Sequence, residues 1–550
     1  MQDLCSLQPA QSLLGPLFTP AGQYHWWPEM YVAIPSSHAQ LRPTFQLCLF
    51  LVLPLHAVPV GHRQPGHSSV RDAHSPPDIP RIPIYTFFLA SWRKLSNSEI
   101  YNRWIREPLE QHGAVVFWNL GRWSVLVGHP DLLSELLRNE AVYEKFGQGA
   151  RSPHGALGAL LGNNIINAAG ADHDRYKSIM QPGIQRRFDP APFADKAGLL
   201  VERLLAEQRQ AGPGRGIAVF PWLQKSTIDL MALSFLGFDL QALDDAAPIV
   251  PLFNGVIQGA FHHTFMTFPI LDRLAWLIPS RRRAFQRLRE FDHTLKALVV
   301  RSKTDRKQAD SPSTVVADRL VDALQAGELT EYQFRSNLAI TFMVGHDNNH
   351  FFLASIMMVL GQNPRIQDRI RTEAATALGP RPTTASLSQT QALDQLPYLT
   401  SFIYEMLRLY PPGAYMLNRQ CTRPARLGDR IALRAGTSIG WTAYGVHTNA
   451  RIWGCTAMEF VPERWGSTIQ EIRATVRRET ARGNYIPFNA YARKCLGQES
   501  ALLEVKVAVV ALVSRLRWRG DPAAEVRMNA AALTFPLGLK VIVEEVGVEA

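Results

Sequence analysis

Cys495 has the most chemically suggestive surroundings in the chain. The segment YIPFNAYARKCLGQESALLEVKVAVVALVSRL places it just ahead of a run in which Leu502, Leu503, Val505, Val507, Val510 and Leu512 make a wide apolar helical face. A cysteine at a helix N-terminus faces free amides and the positive end of the helix dipole, which favour thiolate over thiol. A thiolate is a soft, electron-donating metal ligand, and Arg493, two residues earlier, supplies a fixed cation for a carboxylate. The competing reading is an inert buried cysteine, the commoner fate of a lone one. Taken alone, this segment leaves both readings open.

Two further constellations point to chemistry. In MVGHDNNHFF, the polar residues Gly345, His346, Asp347, Asn348, Asn349 and His350 interrupt an otherwise apolar stretch. Buried polar groups are costly unless satisfied or used, so a site is expected here. In PYLTSFIYEMLRLYPP, Glu405 and Arg408 stand three apart and share a helical face. Arg464, in FVPERW, offers a second cation to the same carboxylate.

Three helices must position these groups. One follows Gly497. A second opens at Thr330, where Thr330 and Gln333 have capping-box spacing, and runs about thirty residues until Gly361 and Pro364 end it. The third ends at Pro411. The 550-residue chain is 46% hydrophobic and 19% charged, which suits a large globular core. No linker divides residues 85–550, so these are expected to form one catalytic body.

Ahead of that body, residues 1–44 read as an unassigned leader and 45–60 as a short hydrophobic anchor around LCLFLVLPL. That run is shorter than the roughly 20 residues a spanning helix needs. Residues 61–84 read as a stiff proline-rich spacer. The net charge of +11 is scattered arginine without basic–aromatic striping, so nucleic acid is not an expected partner. Five widely spaced cysteines (Cys5, Cys48, Cys421, Cys455, Cys495) offer neither a disulfide framework nor a CxxC zinc pair.

Taken in order, the motifs resemble the cytochrome P450 family. Its haem loop, F-x-x-G-x-R-x-C-x-G, is matched by Phe488, Arg493, Cys495 and Gly497; its E-x-x-R pair by Glu405 and Arg408; its P-E-R element by Pro462, Glu463 and Arg464. The oxygen-activating motif A/G-G-x-D/E-T-T/S falls on Gly345 and Asp347. The resemblance covers roughly residues 80 to 545. It implies a mostly α fold with a small β region and a buried haem b, whose axial iron ligand is Cys495. Arg493, Arg419 and the pair His173 and Lys177 would hold the propionates. O2, a small-molecule substrate and NADPH-cytochrome P450 reductase follow as partners. So does a membrane surface, with the catalytic domain facing the cytosol from the endoplasmic reticulum. Several segments are similar to fungal members related to the yeast dityrosine enzyme, which implies oxidation of a secondary metabolite, amino-acid-derived in some members.

Two residues depart from the pattern. Tyr491 replaces the haem-loop glycine, a cost of roughly 1–2 kcal/mol if that position has positive φ. Asn348 replaces the threonine whose hydroxyl helps deliver protons, so a relay would need Asp347 and ordered water. This favours weighing oxidative coupling or desaturation against hydroxylation, and a non-catalytic haem or ligand binder against both. Two other patterns are read as coincidences. His346 and His350 have zinc-pair spacing without an evident third ligand, and the hydrolase-like GTSIG (436–440) sits among β-leaning residues.

Overall fold

The computed structural model describes residues 76–93, 95–306, 314–529 and 532–547. The expected leader and anchor (1–60) and the spacer as far as residue 75 lie outside these residues. Helices dominate, and four of them carry the site: α1 (Gly170–Ile184), α2 (Glu331–Gln362), α3 (Pro397–Leu409) and α4 (Gln498–Arg515).

Their ends lie where the sequence signals them. Thr330 caps α2 with both halves of the capping box formed, Thr330 Oγ1 accepting from Gln333 N while the Gln333 side chain accepts from Thr330 N. Helix α3 stops before Pro411, whose ring cannot continue it, and α4 begins after Gly497.

Two apolar cores meet along α2. Its first half puts Phe334, Leu338 and Phe342 into a core shared with helices Ile249–Ala260, Pro279–Asp305 and Val316–Gln325. Its second half, Phe352 to Leu360, joins a core built with Ala191–Ala211, α3 and α4. Residues 345–350 fall at the seam, where polar groups displace the least apolar contact.

The β region is small. Strands β1 (Ala114–Asn119), β2 (Arg122–Val127), β3 (Tyr143–Lys145), β4 (Tyr415–Cys421) and β5 (Ser438–Thr442) form one sheet in the order β1-β2-β5-β4-β3. Only β2 and β5 run parallel, with Leu126 opposite Gly440. Lys145 faces Arg419 across β3 and β4, a register that brings two cations together. GTSIG runs into β5 rather than a strand-to-helix turn, and Ser438 accepts a hydrogen bond from Ser124. Arg81 bridges to Val116, so the packed body takes in the end of the proline-rich stretch. Among the described residues no helix is long and apolar enough to cross a membrane.

Candidate active site

The loop from Phe488 to Gly497 is closed by a backbone bond, Cys495 N donating to the Phe488 carbonyl at 2.8 Å. Tyr491 has φ +56°, so this position does demand the left-handed conformation. The strain is opposed by contacts glycine lacks: the Tyr491 hydroxyl hydrogen-bonds Ser134 Oγ at 3.1 Å, and the Arg138 guanidinium lies 4.5 Å from its ring centroid.

Cys495 is solvent-accessible, yet protein packed around the sulfur behaves electrostatically as an interior. A sulfur lining an internal cleft satisfies both, and the enclosing protein sets its proton affinity. Burial pushes the thiol above its usual range; the Gly497 amide and the Lys494 charge pull the other way without prevailing. The helix terminus alone therefore does not make the thiolate, contrary to the sequence-based expectation, because desolvation is the larger effect. A metal cation bonded to the sulfur would supply the missing stabilisation.

Beside the loop lies a cluster of cations. Arg493 Nε reaches both Glu140 oxygens at 2.9 Å, and its Nη1 donates to the Ala168 carbonyl. Arg419, 1% exposed, donates to the Tyr143 carbonyl at 2.6 Å and meets Glu140 at 3.5 Å. Lys145 and Arg151, which the sequence reading missed, complete the group. Lys145 Nζ donates to Asn418, and Arg151 donates to the carbonyls of Phe146 and Arg419.

The charges do not balance. Burial, reinforced by Arg419 and Arg493, holds Lys145 well below the usual lysine range. Burial lowers Arg151 to about 9. Burial works to raise Glu140, but the two guanidiniums facing it hold it below its normal value. Even with Lys145 neutral, the group holds three arginines, two of them on Glu140, against that one carboxylate. Among the described residues, Arg419 Nε and Arg151 Nη1 are buried without a partner. Two additional carboxylates, the number haem b carries, would neutralise the group and find free donors.

Helix α1 brings His173 to this cluster. Burial first and then Arg493 lower its pKa, while Asp174 at 3.4 Å opposes them. Lys177, one turn on, is half-buried, and no side-chain partner of it is seen among the described residues.

Helix α2 crosses the site with Gly345 packed so closely on its neighbour that a Cβ would lie 2.5 Å from Met231 Cγ. Val344 and Asn348, four apart, are both partly accessible, and no hydrogen bond of the Asn348 side chain is seen. Asp347 lies between two fully buried histidines, its Oδ1 3.1 Å from His346 Nε2 and 3.7 Å from His350 Nδ1. Asn349 donates to Glu504 of α4 at 2.6 Å. Burial raises that glutamate to about 8 despite the bond.

Glu405 and Arg408 are both wholly buried and pair in two bonds of 2.8 Å. Arg464 Nε, Val461 N and Trp465 Nε1 also donate to Glu405, while Arg408 donates to the carbonyls of His447, Ala457 and Glu459. An ion pair with every polar atom engaged can be buried without an orphaned charge. It ties α3 to the segment preceding the cysteine loop.

The family model Cytochrome P450 matches residues 77–541. "Cytochrome P450 monooxygenase xanG" of Aspergillus fumigatus is 44% identical over 84% of this chain and 86% of that protein. "Cytochrome P450-DIT2" of Saccharomyces cerevisiae is 31% identical over 90% of this chain and 97% of its own length. A Streptomyces melanosporofaciens protein, "Cyclooctat-9-en-7-ol 5-monooxygenase", is 26% identical over 84% of this chain.

Proposed function

We propose, from the premise that the chain belongs to the cytochrome P450 family of haem-thiolate monooxygenases, that Cys495 would supply the sulfur ligand to the haem iron and that the protein oxidises a small fungal secondary metabolite. The observation that carries the site assignment is the cation cluster beside an accessible cysteine, which lacks two negative charges. Haem b, when bound, supplies the iron on which O2 is activated.

The protein's own residues have distinct tasks. Arg493, Arg419 and Arg151 would neutralise the propionates, with Lys145 and His173 beside them. The Phe488 carbonyl and the Gly497 amide fix the Cys495 backbone and sulfur. Glu405, Arg408 and Arg464 hold the helix and loops around it. On the opposite side, Val344 and Asn348 border the substrate space, and Asp347 is the nearest carboxyl able to carry a proton.

Asn348 supports a second reading, oxidative coupling or desaturation, because its amide accepts and donates hydrogen bonds but is not an acid. A binder without turnover is the reading of another class. Family members take electrons from a redox partner. A membrane-bound NADPH-cytochrome P450 reductase fits a chain with exposed Lys494 and Arg482 near the cysteine loop. Association with a bilayer, that of the endoplasmic reticulum, is supported by exposed Ile270, Leu274, Trp276 and Leu277, followed by exposed Arg282 and Arg283.

The test is the reduced, CO-bound difference spectrum of the purified holoprotein. A red-shifted Soret band that is lost in Cys495→Ala is expected. Its absence in the wild type refutes thiolate ligation. A shifted band with no NADPH- and reductase-dependent product from host extracts supports the binder.

A further inference from the structure

His346, Asp347 and His350 form a cluster whose hydrogen bonding does not close when both rings are neutral and the carboxyl is ionised. His346 Nδ1 lies 2.6 Å from the Phe342 carbonyl, which only accepts, so Nδ1 carries a hydrogen. A neutral His346 would then aim the lone pair of Nε2 toward Asp347 Oδ1, 3.1 Å away. Two acceptors would then face each other. Among the described residues, His346 Nε2, Asp347 Oδ1 and both ring nitrogens of His350 are buried and without a hydrogen-bond partner. One such atom from each of the three side chains lies within 4.8 Å of the other two. A cation belongs among them.

The surroundings decide which cation. Phe253 and Phe342 enclose His346, with ring centroids 5.1 and 5.3 Å away. Phe220 and Phe351 enclose His350 at 4.7 and 4.2 Å, and Phe535 stacks on Phe351. Helix Phe220–Met231 contributes Phe220; its Asp229 is engaged by Lys196. Helix Ile249–Ala260 contributes Phe253. Helix α4 contributes Glu504, one turn from the cluster through Asn349 and held neutral at pH 7 by burial. Among the described residues no lysine or arginine is seen in contact with the trio. A divalent metal on one carboxylate would leave an uncompensated positive charge among phenylalanines, whereas one proton closes the count at zero.

We infer that His346, Asp347 and His350 share one resident proton in this aromatic cage, and that the trio is the proton store for oxygen chemistry on the Asn348 side of α2, in place of the hydroxyl that Asn348 lacks. The inference rests on the monooxygenase reading above. Burial, and then the neighbouring His346, hold His350 well below the usual histidine range, so the proton resides on the His346–Asp347 side. Asp347 touches the histidines through Oδ1 while its side chain stays 10% exposed, so it connects the store to the accessible space at Asn348. In the transfer the Nε2–H bond of His346 breaks and an O–H bond forms on Asp347. The proton passes through water to reduced oxygen, the trio is left with one negative charge, and a proton from solvent replaces it. No electrons move within the trio. His346 and His350 are thus positioning residues.

The test reads each histidine separately in the holoprotein, by deuterium exchange at the imidazole C2–H followed by mass spectrometry from pH 5 to 9. Expected is a His346 exchange profile that changes in Asp347→Asn, because the carboxylate facing its Nε2 is then gone. His350 is expected to show no midpoint in this range. With reductase and NADPH, His346→Gln should raise the share of electrons released as hydrogen peroxide several-fold and flatten its pH dependence. His350→Phe, which suits the aromatic cage, guards against a mere folding defect. A His346 exchange profile unmoved by Asp347→Asn overturns the inference. So does one equivalent of a non-haem divalent metal by elemental analysis that is lost in His350→Phe. A missing Soret shift in the wild type defeats the monooxygenase reading instead, so the two failures are distinguishable.

Discussion

Glu504 should make the protein less stable as pH rises, and Glu504→Gln should abolish that dependence. Its carboxyl is 5% exposed, accepts one hydrogen bond, from Asn349 at 2.6 Å, and has its other oxygen unpartnered. In the folded chain it keeps its proton up to about 8, against a normal value of 4.5. Between those values the folded state holds more protons than the unfolded one, so stability falls with rising pH until the loss is complete above about 8. At about 1.4 kcal/mol per pH unit, the full span corresponds to about 5 kcal/mol. Glutamine is isosteric, never ionises, and can still accept the Asn349 hydrogen bond. Urea denaturation of wild type and variant, followed by tryptophan fluorescence at fixed pH values from 5 to 9, measures the effect. The two should be close at pH 5 and diverge progressively, the variant being the more stable. A constant difference between them across the range would show that Glu504 ionises in the fold at little cost, and would refute the reasoning.

Other substitutions probe the remaining parts. Tyr491→Gly removes a left-handed strain of roughly 1–2 kcal/mol and loses contacts of similar worth. Denaturation should find it within about 1 kcal/mol of wild type, with Tyr491→Ala lower by about 2 kcal/mol because it keeps the strain and loses the contacts. Arg419→Leu should lower the haem-to-protein ratio of the purified protein, whereas Glu140→Gln should preserve it. Equal losses in both would show that the charge imbalance of the cluster is not what retains the cofactor. Glu405→Gln leaves the wholly buried Arg408 short of a counter-charge, and should destabilise the protein by about 3–5 kcal/mol, read as a lower urea midpoint.

What the sequence made legible was what spacing along one helix determines. The Thr330 capping box, the stop before Pro411 and the facing of Glu405 and Arg408 need no tertiary knowledge, and the structure has all three. Illegible were quantities set by residues distant in the chain. The partners of Arg493 and Tyr491 stand 353 and 357 residues away, and Lys145 and Arg151 become part of the cluster only because β3 pairs with β4. Cys495 shows the same limit from the other side. A helix N-terminus can be read from sequence, but the desolvation that outweighs it depends on how much protein encloses the sulfur. His346 and His350 were set aside for want of a third group, when Asp347 stood between them in the sequence. Adjacent residues on a helix are normally taken to point apart. Here the carboxylate reaches its neighbour because α2 lies at the seam of two apolar cores, where a polar side chain has few directions to turn except toward another polar side chain. Such a seam concentrates the polar residues that a long apolar helix can tolerate, and so it is where the chemistry of this chain gathers.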